Sequence, residues 1–172
     1  MLITEEYRNQ QKQMHSKYNY GTASIGYAPM VSQMIDSSGL TEILDYGAGR
    51  GNLAKHLDTK KVVSVTHYEP ANPEWADVPE PHDFVACIDV LEHIEPELID
   101  NVLDDLVRVT KRVGFFTVHT GPAAKLLPDG RNAHLIQQPA RWWLPKFIER
   151  FDLTHFSQVG SSGFFVIVSP RG

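Results

Sequence analysis

The sequence holds one cysteine, Cys87, and it lies within an apolar run, Phe84-Val-Ala-Cys-Ile88. A lone thiol permits no disulfide inside the chain and no cysteine-based zinc site, so it reads as a small buried hydrophobe. Long apolar runs are also missing. None approaches the ~20 residues that cross a bilayer. The first residues, Met1-Leu-Ile-Thr-Glu-Glu-Tyr7, lack the basic and apolar regions of a secretory leader. The expectation is a cytoplasmic protein with no membrane partner. Positive charge is in deficit: 16 Lys plus Arg stand against 21 Asp plus Glu, for a formal net charge of −5. Proteins that grip a phosphate backbone carry a basic surface, so nucleic acid is not an expected partner. Repeats and low-complexity tracts are absent. What is present, 42% hydrophobic and 22% charged residues over 172 positions, suits one globular domain.

Residues 1–27 read as a cap segment and residues 28–172 as the core. Residues 3–16 are polar and compatible with a helix of little apolar face. Residues 17–27 read as a loop holding Tyr18, Tyr20 and Gly21 near the expected entrance. Met30, Val31, Met34 and Ile35 recur at helical spacing, with Gly39 as a stop. A short strand, Glu42-Ile-Leu-Asp45, runs into Gly47-Ala-Gly-Arg-Gly51 and then a helix carrying Leu53 and Leu57. Val62–Tyr68 is a second strand. Pro70, Pro73, Pro79 and Pro81 keep the next stretch out of any regular helix or central strand. Phe84–Ile88 is a strand, and Pro96 opens an amphipathic helix with Leu98, Ile99, Val102, Leu103, Leu106 and Val107 on one face. Val113–Val118 follows as a strand, then a long connection, 120–138, of the kind that carries function. Trp142, Trp143 and Phe147 sit on a helical segment that Pro145 interrupts or restarts. Leu153–Val159 and Phe164–Val168 form a hairpin through Gly160-Ser-Ser-Gly163.

This order predicts an α/β fold: a mostly parallel sheet, covered on both faces, with a C-terminal antiparallel hairpin. Ligands bind such sheets at the carboxyl ends of the strands, where strand order reverses. Asp45-Tyr-Gly-Ala-Gly-Arg-Gly51 stands at that point. Its third glycine comes one residue too early for a dinucleotide fingerprint, and Asp45 would repel a pyrophosphate. An acid there suits a ligand with an ammonium group. Glu69, twenty residues beyond Gly49, closes the second strand, where a carboxylate can accept both ribose hydroxyls.

Together these motifs resemble the class I methyltransferases that use S-adenosylmethionine (SAM). Ile43–Gly51 is similar to their first motif, Tyr68-Glu-Pro70 to their second, and Ile88-Asp-Val-Leu-Glu-His-Ile94 to the segment after their fourth strand. The resemblance implies a shortened Rossmann-like sheet and SAM as cofactor. It implies that Asp45, Gly47 and Gly49 surround the methionine end, that Glu69 binds the ribose, that Pro70 flanks adenine, and that Asp89 and Val90 line the methionine side. The family's third strand and its helices have no room between Glu69 and His82, so that strand is expected to be missing. The acid that touches adenine after it has no counterpart.

The acceptor side is expected from strand ends and the long connection. His119 and His134 are the candidate catalytic bases, and His119 reads equally well as a structural loop residue. Asp89-Val-Leu-Glu92-His93 is similar to a segment of two groups of metal-using O-methyltransferases, those of the ubiquinone pathway and those that modify small-RNA ends. Asp89, Glu92 and His93, at i, i+3 and i+4, would share a helix face and hold a divalent metal, Mg²⁺ or Mn²⁺, with Glu92, His93 and His134 as the core of the set. The alternative is that Glu92 and His93 serve local hydrogen bonds. The other five histidines carry no motif. No Asp-Pro-Pro-Tyr-like signature follows the fourth strand, which argues against methylation of base amines. The expected activity is methyl transfer to an oxygen of a small polar acceptor, such as a sugar, phenol or biosynthetic intermediate. A SAM-binding module without chemistry is the rival from another class, and RNA-end methylation and a nicotinamide oxidoreductase are further alternatives.

Overall fold

The computed structural model describes residues 1–18 and 21–172. Tyr20, grouped above with the cap, lies outside them.

Six strands form one sheet in the order β2-β1-β3-β4-β6-β5. These are β1 (Glu42–Tyr46), β2 (Ser64–Tyr68), β3 (His82–Ile88), β4 (Thr110–His119), β5 (Phe151–Val159) and β6 (Gly163–Pro170). The first four are mutually parallel, and β6 runs antiparallel to both β4 and β5. The chain leaves β1 for β2 on one side and returns to β3 on the other. A crevice opens between the carboxyl ends of β1 and β3, as strand-order reversal requires. The third strand of the full family sheet is missing. Glu69–Pro81 contains no helix or strand, and β2 is the sheet edge.

Helix α2 (Ala23–Ser38) buries Ala28, Val31 and Ile35 on one face of the sheet beside the short α3 (Asn52–His56). The helix begins inside the stretch expected to be a loop, so the core starts at about Ala23 rather than at residue 28. It ends where Gly39 takes a left-handed φ of 71°. The other face is covered by α4 (Ile99–Val109) and α5 (Ala140–Ile148). In α4, Ile99, Val102, Leu103 and Leu106 recur at three- and four-residue spacing and are buried. Pro96 opens a single 3-10 turn, Pro96–Leu98, ahead of α4 instead of α4 itself. Helix α5 runs unbroken through Pro145. Pro145 and Arg141, whose carbonyl loses its N–H partner there, both lie on the exposed side of the helix. Trp143 and Phe147 lie on the opposite, buried side.

Helix α1 (Glu5–Lys17) is polar, as its sequence implies, yet one face is buried: Tyr7, Gln10, Gln11 and Met14. They share a helical stripe and pack with Leu127 and Ala133 of the long connection. Both amide nitrogens in the stripe find partners: Gln11 Nε2 donates to Tyr7 Oη at 2.6 Å and Gln10 Nε2 to Asp129 at 3.0 Å.

Because Leu103 is fully buried between α4 and the sheet, Leu103→Ala is expected to cost about 2–5 kcal/mol of stability. Val62→Ala, at an exposed position, should stay within about 0.5 kcal/mol. Urea unfolding of both variants against the wild type checks this contrast.

Candidate active site

The loop after β1 is shaped by its glycines. Gly47, Gly49 and Gly51 all have positive φ, a conformation strained for other residues. At Gly47 the constraint is also steric, since an added Cβ would lie 2.4 Å from Val90 Cγ2. The ends of β1 and β3 therefore touch through a glycine. The backbone N–H groups of Gly47 and Ala48 both donate to the Tyr68 carbonyl, at 2.8 and 3.0 Å, and tie the loop to the end of β2. The buried Glu69 carboxylate completes the tie. One oxygen accepts the Gly49 N–H and the other the Ala71 N–H, each at 3.0 Å.

Asp45 and His67 are cross-strand partners on β1 and β2, with Oδ2 and Nδ1 3.6 Å apart. Burial raises the Asp45 pKa, and His67 pulls it back. That pairing was readable in principle: both residues stand one position before the ends of adjacent parallel strands. His67 also lies against the ring of Trp75, with centroids 4.4 Å apart.

Beyond β3, Asp89 has φ 58°, the one positive value at a non-glycine among the described residues. Such strain costs of order 1–3 kcal/mol and gathers at functional sites. The Asp89 N–H donates to Thr117 Oγ1 at 3.0 Å. His93 is held by Nδ1, 2.8 Å from the Ala133 carbonyl, and His134 by Nδ1, 2.7 Å from the Gly121 carbonyl. Donation from Nδ1 makes Nε2 the lone-pair nitrogen in both rings. Burial, with His134 beside it, pushes the His93 pKa down to about 4, and burial lowers that of His134. Both are neutral near pH 7. Asp89, His93 and His134 each offer one ligand atom, all within 4.8 Å of one another.

His119 stands beside His134, ring centroids 5.0 Å apart. His119 Nδ1 lies 3.2 Å from both the N–H and the carbonyl of Gly121. Its Nε2 faces Ser162 Oγ at 3.4 Å. Both nitrogens of His119 thus have protein partners.

A cavity of about 450 Å³ joins these parts. Of the residues expected in a site, Gly47, Gly49, Glu69, Pro70, Asp89, Val90, His93, His119 and His134 line it. Asp45 and Glu92 stand behind the wall. Glu92, expected among the metal ligands, is outside the Asp89–His93–His134 group. Its side chain is fully buried and accepts the His119 N–H at 2.7 Å. Burial and the neighbouring Asp89 raise its pKa well above the carboxylate range. The sequence reading places residues 1–27 as a cap over the cofactor without naming its lining residues, which are Tyr7, Gln11 and His15 of α1 together with Leu2 and Ile3. Tyr7 Oη donates to the His93 carbonyl. The only sequence signal for this wall was the Tyr7, Gln11, Met14 spacing, masked by its polar members.

Residues 12–161 match the family described as "Methyltransferase domain". The chain belongs to this family. It is a SAM-dependent methyltransferase with a Rossmann-like α/β fold. A comparison with curated protein sequences gives no match. Solved structures share the fold at low identity. The 1,6-didemethyltoxoflavin-N1-methyltransferase of Burkholderia thailandensis, solved with its substrate and S-adenosylhomocysteine (SAH), superposes with a TM-score of 0.68 at 16% identity, over 100% of this chain and 92% of that one. The mitomycin 7-O-methyltransferase MmcR gives 0.63 at 15% identity, over 88% and 55%. The small RNA methyltransferase HEN1 gives 0.64 at 12% identity, over 92% and 26%. Among the described residues no helix is long and apolar enough to cross a membrane.

The raised Glu92 pKa has a testable consequence. An acid that holds its proton in the folded state opposes folding increasingly as pH rises above its unfolded pKa, because the unfolded chain releases that proton first. Glu92→Gln removes this penalty. Its stability relative to wild type should grow as pH is raised from about 5 to about 8. Thermal melts of the two proteins across that range read the difference, and the depressed histidines cancel between them.

Proposed function

We propose that the enzyme transfers the methyl group of SAM to an oxygen of a small polar acceptor. The observation that carries this reading is the continuity of one cavity from the Gly47–Gly49–Glu69 end to the histidines at the other. The cofactor end fits SAM. The glycine loop leaves backbone close to the cavity, and each Glu69 oxygen keeps a lone pair beyond the one its backbone N–H uses. Gly47 and Gly49 would hold the methionine portion, with Asp89 and Val90 opposite, Glu69 would take the ribose hydroxyls and Pro70 would flank adenine. Asp45 would act through the shape of the loop from behind it. When bound, SAM supplies an electrophilic methyl group on a sulfonium.

His134 is the base in this reading. Its Nδ1–H is committed to Gly121, so Nε2 accepts the acceptor hydroxyl's proton. His119, engaged at both nitrogens, positions His134 and the Gly121 turn. Tyr7 fixes the His93 backbone and closes the wall from α1. The acceptor is a small molecule, since α1 and the long connection enclose the histidine end, and the reading includes a cytoplasmic location.

The Asp89–His93–His134 group favours a second version, in which these three residues hold a divalent cation such as Mn²⁺ or Mg²⁺. Two neutral imidazoles and a carboxylate are a suitable donor set. A cation there would orient the hydroxyl and lower its pKa, relieving His134 of the base role.

Losing the Glu69 carboxylate should weaken SAH binding roughly ten- to a hundredfold, for a loss of about 1.5–3 kcal/mol. Calorimetric titration of Glu69→Ala measures this, and unchanged affinity would remove Glu69 from the ribose.

The reaction itself is tested with methyl-labelled SAM and pools of hydroxyl-bearing metabolites. Label on a product oxygen, lost in His134→Ala, supports the proposal. Label on nitrogen corrects the acceptor atom, and SAH binding without any transfer points to a silent binding module. Full activity in excess chelator leaves His134 as the base, and activity restored only by Mn²⁺ or Mg²⁺ favours the cation.

A further inference from the structure

The missing third strand leaves the cavity one wall short at its cofactor end, and a different part of the chain stands there. Leu2 and Ile3 line the cavity along with Pro70, Val90, Ile94 and Val102. Two anchors hold them. Thr4 donates its N–H to Glu95 Oε2 at 2.9 Å and its hydroxyl to Glu95 Oε1 at 2.6 Å, so one buried carboxylate clamps both groups of a single residue. On the other side of the pair, Asn101 Nδ2 donates to the Met1 carbonyl at 3.0 Å. Leu2 also packs against the cluster that contains Tyr46, Tyr68 and Val102.

A two-point clamp on four residues fixes an apolar pair where the flanking chain is polar. Leu2 and Ile3 nevertheless remain only half-buried. Both line the same cavity as Pro70, which follows Glu69. Ile3 also packs with Tyr7, Met14, Leu127 and Ala133, so the pair bridges the cluster of Tyr46 and Tyr68 to the long connection. A flat apolar group attached to the ribose that Glu69 holds would cover the pair's remaining surface.

We propose that Leu2 and Ile3 form one wall of the adenine pocket, standing in for the missing strand unit, with Thr4–Glu95 and Asn101–Met1 as the fasteners. The proposal rests on the cofactor reading above. It makes residues 1–4 part of the binding site as well as the lead-in to α1. Thr4 links the two, since its hydroxyl also accepts the Tyr7 N–H at 3.2 Å as the α1 cap.

The test titrates SAH and adenosine separately into wild type, Leu2→Ala and Ile3→Ala by calorimetry. Each truncation is expected to lower SAH affinity about three- to tenfold, and adenosine affinity by the same factor, because the lost contact is to the purine. Hydrogen exchange in the wild-type peptide spanning residues 1–8 should slow when SAH is added, a measurement that needs no variant. Wild-type affinity for both ligands in both variants, with no exchange protection, overturns the proposal and leaves the cofactor reading intact. Weakened SAH with unchanged adenosine also overturns it, since the contact is then not to the purine. A wild-type protein that binds neither ligand overturns the cofactor reading and this proposal with it.

Discussion

The Glu69 carboxylate stands where three strand ends meet, and it joins the backbone of the glycine loop to the backbone of the chain leaving β2. Each oxygen takes one N–H, from Gly49 and from Ala71. A carboxylate that accepts backbone N–H groups in a partly dry setting makes stronger hydrogen bonds than a neutral acceptor would. The same loop is tied to β2 through the Tyr68 carbonyl and pressed against β3 through the contact of Gly47 with Val90. These contacts among the protein's own groups shape the crevice. Its geometry depends on glycines that allow the approach and on one acid that holds the parts together.

That arrangement explains how the protein tolerates a shortened sheet. Removing a strand unit beyond β2 makes β2 an edge and opens the crevice on that side. The loss is met from the opposite direction along the chain. Residues 1–17 cross the carboxyl ends of the strands, fixed by Thr4 on Glu95, Tyr7 on the His93 carbonyl and Gln10 on Asp129. Arg50, inside the glycine loop, donates to the carbonyls of His15 and Tyr18 and fastens the end of α1 to the loop. The wall is made by polar fasteners around few apolar contacts, a weaker construction than a strand and helix, and one that can open more readily.

The parts legible in the sequence were those with a single physical signature. Alternating strands and helices gave the sheet, because burial on both sheet faces demands apolar strands between amphipathic helices. The spacing of Gly47, Gly49 and Gly51 after a strand gave the crevice, and the proline-rich stretch after Glu69 gave the missing strand. The parts that were not legible depend on tertiary partners. The start of α2 at Ala23 follows packing against the sheet rather than the small-residue composition of residues 21–27. Pro145 is tolerated on the exposed side of α5, opposite the buried Trp143 and Phe147. Helix α1 hides its buried face behind Gln10 and Gln11, whose amide nitrogens donate to Asp129, far away in sequence, and to Tyr7, one turn back. Glu92 shows the limit most clearly. Its place beside Asp89 and His93 suggested a ligand, but side-chain direction in a 3-10 turn differs from that in an α-helix, and Glu92 points inward to the His119 backbone.

This inward turn of Glu92 shapes the chemistry at the cavity's far end. With its carboxylate withdrawn and bonded to the His119 N–H, Glu92 fixes the β4 terminus from which His119 and the Gly121 turn project. Gly121 offers its carbonyl to His134 Nδ1 and lies 3.2 Å from His119 Nδ1 through both its N–H and its carbonyl, so one residue holds two adjacent rings. His134 turns a lone pair outward, while His119 Nε2 lies 3.4 Å from Ser162 Oγ. The fold is shared by proteins named as an N1-methyltransferase, a 7-O-methyltransferase and a small RNA methyltransferase, so the sheet does not choose the acceptor. In the reading proposed above, α1 and the long connection bring to this end of the cavity the residues that would meet the acceptor.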